Sequence, residues 1–208
     1  MTAEFVSTSS DFLTVLTQAA NAFQTRSSDR PAATAVVQAL LQAEKATKHE
    51  HRLYPFEPLL GDWQLCFATG TRKVRRGGIA LGSGFYVPKF AVAQISFQAE
   101  TGAVELGKGT IVNQVTVGPV LLRFKGPAHY LGKKNLLAFD FTHLQLDVLG
   151  RTVYSGLVPG RKAKPDFYAQ SVRSLPFFAF FSITPTFIAA RGRGGGLALW
   201  VRSTGKNV

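Results

Sequence analysis

Between Ser10 and Phe23 apolar side chains recur every three or four positions. Phe12, Val15, Leu16, Ala19 and Phe23 share one face, the pattern of a helix laid against a core. Ser10 is the expected N-cap of this helix. A second helix is expected from near Pro31, whose fixed φ suits a first helical turn. Val36, Val37, Leu40, Leu41 and Glu44 follow, and Lys45, Lys48 and His49 suit its C-terminal end. The proline-bearing linker LYPFEP, residues 53–58, ends this region.

From Leu59 onward the period changes to two. DWQLCFAT, FAVAQISFQA, TIVNQVTV, VLLRFKG, NLLAFDFTHLQLDV, TVYSGLV and LALWVR are short runs rich in β-branched and aromatic residues. Turn sequences separate them: RRGG, GKG, GPV, GKKN and PGRKAKP. Many short strands at even spacing predict an antiparallel barrel or sandwich. The longest run, 135–149, changes phase near Thr142, because Leu137, Phe139 and Phe141 are odd-numbered whereas Leu144, Leu146 and Val148 are even-numbered. A β-bulge there is the expected cause. The chain therefore divides into a helical region and linker, 1–58, and a β-barrel, 59–208.

One segment fits neither period. SLPFFAFFSITPTF, 174–187, carries Phe177, Phe178, Phe180, Phe181 and Phe187 and no charge. It is too short, and too broken by Pro176 and Pro185, to span a membrane as a helix. Adjacent phenylalanines break strand alternation, and neither proline suits a central strand. The segment is expected to be a partly exposed loop or short helix between strands, available for docking. The alternative is ordinary core over an open barrel end.

Charge gives this segment a context. The 208 residues include 24 Lys and Arg against 12 Asp and Glu, a net charge of +12. That excess suggests an anionic partner. Basic loops are expected at Arg72, Lys73, Arg75 and Arg76, at Lys133 and Lys134, and at Arg161, Lys162 and Lys164. Lone Cys66 excludes an intramolecular disulfide and fits a reducing compartment. The N-terminus has neither a basic start nor an apolar signal core, so an intracellular protein is expected.

Catalytic and metal chemistry find little support. GAVELGKGT, 102–110, approaches a phosphate loop, but Gly109 stands where Ser or Thr is needed and a strand pattern follows instead of a helix. His49 and His51 are too close in sequence to share a helix face. Asp140 and Asp147 have opposite parity on one predicted strand. His129 and His143 lack a nucleophile elbow. RGRGG at 191–195 occurs once, before an expected strand, so no nucleic-acid partner is expected. No catalytic residue, metal ligand or covalent cofactor is assigned.

The sharper signal is LLGDWQLCFATG, 59–70. Gly61 can adopt a backbone angle other residues resist, and Trp63 follows in phase with Leu65 and Phe67. Together with GTIVNQVTVGP (109–119) and FIAARGRGGGLALWVR (187–202), it resembles the plastid lipid-associated protein family, the PAP/fibrillins. Gly61, Trp63, Asn113, Val115, Arg191 and Gly192 carry the likeness. Phe67 stands in place of a usual tyrosine and Ile188 in place of an arginine. The resemblance implies a lipocalin-like barrel preceded by two helices and a non-enzymatic protein. It implies a lipophilic ligand such as an isoprenoid, quinone, carotenoid or acyl lipid. A cyanobacterial source and a peripheral place on the cytoplasmic or stromal side of an anionic thylakoid membrane, or on lipid bodies, belong to the same expectation.

Trp63, Leu65, Phe67, Phe97, Phe139 and Phe141 are the candidate ligand-binding wall, unless they fill the barrel themselves. Gly61, Trp63 and an arginine are expected to close the barrel, with Arg191 as first choice over the indole and Arg202 as the alternative. A second function class stays open: an accessory or assembly subunit docking on a photosynthetic membrane complex through the basic loops and the Phe segment.

Overall fold

The structure, a computed structural model, describes residues 4–73, 79–160 and 166–203; the side chains of 4–10, 72, 73, 79 and 80 fall outside that description. Helix α1 spans Glu4–Gln24 and α2 Ala33–His49. The strands are β1 Gly61–Ala68, β2 Thr71–Lys73, β3 Ile79–Leu81, β4 Phe85–Tyr86, β5 Ala91–Ala99, β6 Lys108–Val117, β7 Val120–Leu131, β8 Leu136–Phe139, β9 His143–Val148, β10 Arg151–Leu157, β11 Phe177–Ile183, β12 Phe187–Gly192 and β13 Leu197–Arg202.

Eight of these strands close a ring in the order β7, β6, β5, β1, β13, β12, β11, β8, with β8 returning to β7 and every pairing antiparallel. The fold is a lipocalin-like barrel with two helices on its outer wall.

Ser10 does not cap α1. The helix begins by Glu4 and runs through Ser10, so the periodicity from Phe12 onward marked only its packed portion. Phe12, Leu16, Ala19 and Ala20 of α1 and Val36, Leu40 and Ala43 of α2 bury against Phe67, Phe181, Phe187, Ala189 and Leu199. Small alanines at this contact let the helices lie close to the strands. The second helix starts two residues after Pro31 and ends in Lys48 and His49, as its sequence suggests.

The 135–149 run is two strands, not one bulged strand. Strand β8 pairs with the second half of β7 and β9 with its first half. Between them, residues 140–142 cross close over β7: the Thr142 N–H donates to the Lys125 carbonyl at 2.9 Å, and a Cβ on Gly126 would lie 1.8 Å from the Asp140 carbonyl oxygen. Only glycine permits that approach. The phase change is real, and it turns Leu137 and Phe139 on one side of the crossing, and Leu144 and Leu146 on the other, toward the same inner face.

The Phe segment is a strand, not a loop or short helix. Strand β11 is paired on both sides, by β8 and β12. Pro176 and Pro185 stand just outside its ends, where their missing N–H groups break no ladder. Its register shifts between Phe180 and Ser182. This bulge lets adjacent rings face opposite ways, with Phe180 in the barrel interior and Phe181 under the helices. The Phe181 carbonyl accepts from Thr47 Oγ1 at 2.6 Å and from Tyr54 Oη at 3.3 Å.

Candidate functional site

One end of the barrel is shut. Gly61 has φ +108°, and the Trp63 indole N–H donates to the Leu59 carbonyl at 2.7 Å. The Arg202 guanidinium carbon lies 4.0 Å from the Trp63 ring centroid. Its nitrogens donate to the carbonyls of Leu60 (3.1 Å), Pro58 (2.9 Å) and Pro185 (2.8 Å). Beside them Phe56 stacks on Tyr130 at 5.3 Å. Asn135 bridges the linker to the barrel, donating to the Arg52 carbonyl at 2.7 Å and accepting from the Tyr54 N–H at 2.9 Å.

Arg202, not Arg191, therefore covers the indole. Arg191 points outward to α2 and forms a two-pronged pair with the Glu44 carboxylate, Nε to Oε1 at 2.9 Å and Nη2 to Oε2. Lys48 adds a third donor at 2.8 Å. Burial alone would push the Glu44 carboxyl up, but the hydrogen bonds from Arg191 and Lys48 outweigh it and hold it below the usual carboxylate range. This clamp fixes α2 to β12.

Aromatic rings fill the interior. Phe97 meets Phe180 edge-on at 6.0 Å, and Trp200 meets Phe178 at 5.4 Å. Phe178 stacks on Phe139 at 5.1 Å, Phe139 touches Phe141 at 5.1 Å, and Phe141 reaches Phe124 at 5.5 Å. The last two are only half-buried, so this line of rings leads out of the interior to the other end of the barrel.

That end is open because β1 and β5 part company. They pair only from Gly61 to Gln64; beyond, β1 takes β4 as neighbour. The outer ends of β5, β6 and β7 continue with β9 and β10 as an overhanging sheet. Directly opposed residues share a face, so the registers place Val115 and Leu122, Val117 and Val120, Phe124 and Leu144, and Leu122 and Leu146 together. This face continues that of Ile111 and Ala128 in the barrel interior. It is mainly apolar, with Val148 and Tyr154 at its far side; Asn113 opposite Phe124 and Arg151 opposite Val148 are the polar residues on it. The opposite face is polar: Arg123 donates to Gln114 at 2.9 Å, and Gln145 donates to Asp147 at 2.9 Å. Val115, Val117 and Val120 are exposed on the apolar face, so no described element fully covers it.

The candidate wall residues separate accordingly. Trp63, Leu65, Phe97, Phe139 and Phe141 belong to the interior. Phe67 does not: the register shifts between Leu65 and Phe67, and the bulge turns Cys66 and Phe67 out toward the helices. Phe180 and Phe181 are buried and Phe178 lies among the interior rings, so these three are not a docking surface; Phe177 is a half-buried strand residue paired with Ala138. Lys133 and Lys134 form an exposed turn at the shut end. Arg75, Arg76, Arg161, Lys162 and Lys164, and the side chains of Arg72 and Lys73, lie outside the described residues. The overhang itself was missed, although the even-numbered Leu144, Leu146 and Val148 and the alternation of Val120, Leu122 and Phe124 carry its signal.

Two depressions lie elsewhere. A wide one of about 560 Å³ runs along α1 past Leu13, Thr17 and Asn21. A cleft of about 290 Å³ lies between the end of α1 and the outer face of β1 and β5, lined by Arg26, Arg30, Gln64, Lys89 and Gln94. Among the described residues no three His, Cys, Asp or Glu side chains converge as a metal site, and no helix is long and apolar enough to cross a membrane.

The geometry defines a class, a helix-flanked lipocalin-like barrel with an apolar overhang at its open end. No family model matches the chain, and no curated protein matches it. Among solved structures it is similar to a redesigned β-barrel, at 11% identity over 71% of this chain and 94% of that one, with a TM-score of 0.34. It is also similar to a DUF3598-family protein of unknown function from Nostoc punctiforme, at 14% identity and a TM-score of 0.28. That alignment covers 73% of this chain and 50% of the Nostoc protein.

Proposed function

We propose that this protein binds a lipophilic molecule without transforming it, and that the ligand lies on the inner face of the overhang and not deep inside the barrel. The observation that carries the reading is the largely apolar surface from Phe139 and Phe141 through Phe124 to Val115, Val117, Leu122, Leu146 and Val148, with Asn113 beside Phe124 as a polar group on it. The rings further inside already touch one another. An elongated apolar ligand would cover the half-exposed residues and gain from each about half of the 1.5–3 kcal/mol of a fully buried side chain. Four such contacts give about 3–6 kcal/mol, to which burial of the ligand's own surface adds. In this reading the ligand is an isoprenoid quinone, a carotenoid or an acyl lipid, and the protein is peripheral to a thylakoid-type membrane.

Native mass spectrometry of protein purified from its own host tests the reading, followed by titration of stripped protein with a short-tailed benzoquinone. The expected result is one co-purifying lipid and saturable binding. A Phe124→Asp, Leu146→Asp variant should lose it and Arg123→Gln, on the polar face, should keep it. Equal binding by all three proteins would remove the overhang as the site.

A second reading is an accessory subunit docking on a photosynthetic complex. It is favoured by β10, which ends the sheet with one edge unpaired among the described residues and exposes Val153 and Leu157. Such an edge can accept a partner strand.

A further inference from the structure

We propose that the tip of the overhang is the part of this protein that enters a bilayer containing anionic lipid. The inference rests on the lipophilic-ligand reading only in that it places the mouth of the ligand face at the lipid surface. Three chain segments end there side by side: 88–91 leading into β5, the 117–120 turn, and the 148–151 turn. Their order is fixed by register, with Ala91 opposite Val117, Val117 opposite Val120, Val120 opposite Val148 and Val148 opposite Arg151. The Leu149 N–H donates to the Pro119 carbonyl at 2.9 Å, tying the second turn to the third. Five neighbouring strands at about 4.8 Å spacing make this a row about 20 Å long.

The side chains on this row are those a bilayer would select. Phe90 is 72% exposed, Leu149 78%, Val117 46% and Val120 38%. Leu149 also holds φ +52°, a left-handed conformation that Gly or Asn adopts with less strain. Neither water nor the backbone explains a leucine at that position. Lys89 and Arg151 flank the apolar tips, and none of the residues in the three segments is acidic. An apolar ridge one residue deep with basic shoulders has the form of an edge that dips below lipid headgroups while its cations stay among the phosphates. A folded protein partner would demand a broader patch and polar partners at its rim. The chain's net charge of +12 points to the same anionic surface.

The test is flotation with vesicles of phosphatidylglycerol and phosphatidylcholine, beside pure phosphatidylcholine. The parent should float with the anionic vesicles, and high salt should release it only in part, because screening weakens the basic contribution and leaves the apolar one. A Phe90→Asp, Leu149→Asp variant should lose at least about tenfold in partitioning, because two inserted apolar side chains go. Both positions are solvent-exposed, so folding is checked simply by an unchanged melting curve. Leu106→Asp, 62% exposed in the loop between β5 and β6 at the other end of the sheet, should float like the parent. The tip variant should still bind the short-tailed benzoquinone in solution. Flotation without quinone binding would keep this inference and remove the ligand reading; quinone binding without flotation would do the reverse. A parent that stays off vesicles but forms a dimer that the tip variant breaks would overturn the proposal in favour of a second copy.

Discussion

Replacing Arg202 by alanine strips the Trp63 indole and three carbonyls of their common partner. The guanidinium lies 4.0 Å from the ring centroid, inside the range where a cation over an indole contributes about 1 kcal/mol. The Leu60 carbonyl is half-shielded and should lose about 1 kcal/mol with its donor; those of Pro58 and Pro185 face water and should lose a few tenths each. The sum is about 2–3 kcal/mol, or a fall of about 5–10 °C in melting temperature for a domain of this size. Arg202→Lys keeps a cation near the ring but cannot reach three carbonyls from one plane, and should lose about half as much. The assay is thermal and urea unfolding, with Trp63 emission read in a Trp200→Phe background. Emission should shift to the red as water reaches the uncovered indole. A melting point for Arg202→Ala within about 1 °C of the parent, with unchanged emission, would refute the argument.

Phe180→Ala and Phe181→Ala should each cost about 3–5 kcal/mol as large-to-small core changes. Only the second empties the space beneath α2, so hydrogen exchange should rise in α2 for Phe181→Ala and not for Phe180→Ala. The Glu44 carboxyl is held below its ordinary value in the folded chain, so the stability it contributes is complete above that ordinary value. It is lost as pH falls through the lowered one. Urea melts of the parent and Glu44→Gln should differ at neutral pH and converge in acid; a constant difference would show that the clamp is not ionic. Burial pushes the Cys66 thiol up to about 12 and it lies under α1, donating to the Ala19 carbonyl at 3.7 Å. Alkylation should therefore proceed only at the rate of unfolding, and fast labelling of native protein would contradict the docking of α1 on β1.

The two helices and most strands were legible because their faces repeat with periods of 3.6 and 2, and Gly61 with Trp63 marked the shut end. What escaped was set by bulges and long-range pairing. The bulge between Leu65 and Phe67 reverses parity within one strand, so Phe67 looked like a wall residue although it lies under the helices. The bulge after Phe180 makes adjacent phenylalanines compatible with a central strand, which no local rule anticipates. Pro176 and Pro185, unsuited to a central strand, bound β11 and do not interrupt it. Arg191 and Arg202 differ only in which face of the sheet they leave, and the partner that draws Arg191 outward, Glu44, is 147 positions away in the chain. The overhang required knowing that β7 serves two partners in succession, a change made possible at Gly126.

Photolabelling with a diazirine-bearing isoprenoid or fatty acid, followed by mass-spectrometric mapping of the labelled residues, tests the central claim most directly. The account predicts labels concentrated on 115–124 and 144–148, competed away by unlabelled ligand and absent from the Phe124→Asp, Leu146→Asp variant. Labels concentrated on β11 or along the outer face of α1, or spread evenly over the surface, would contradict it.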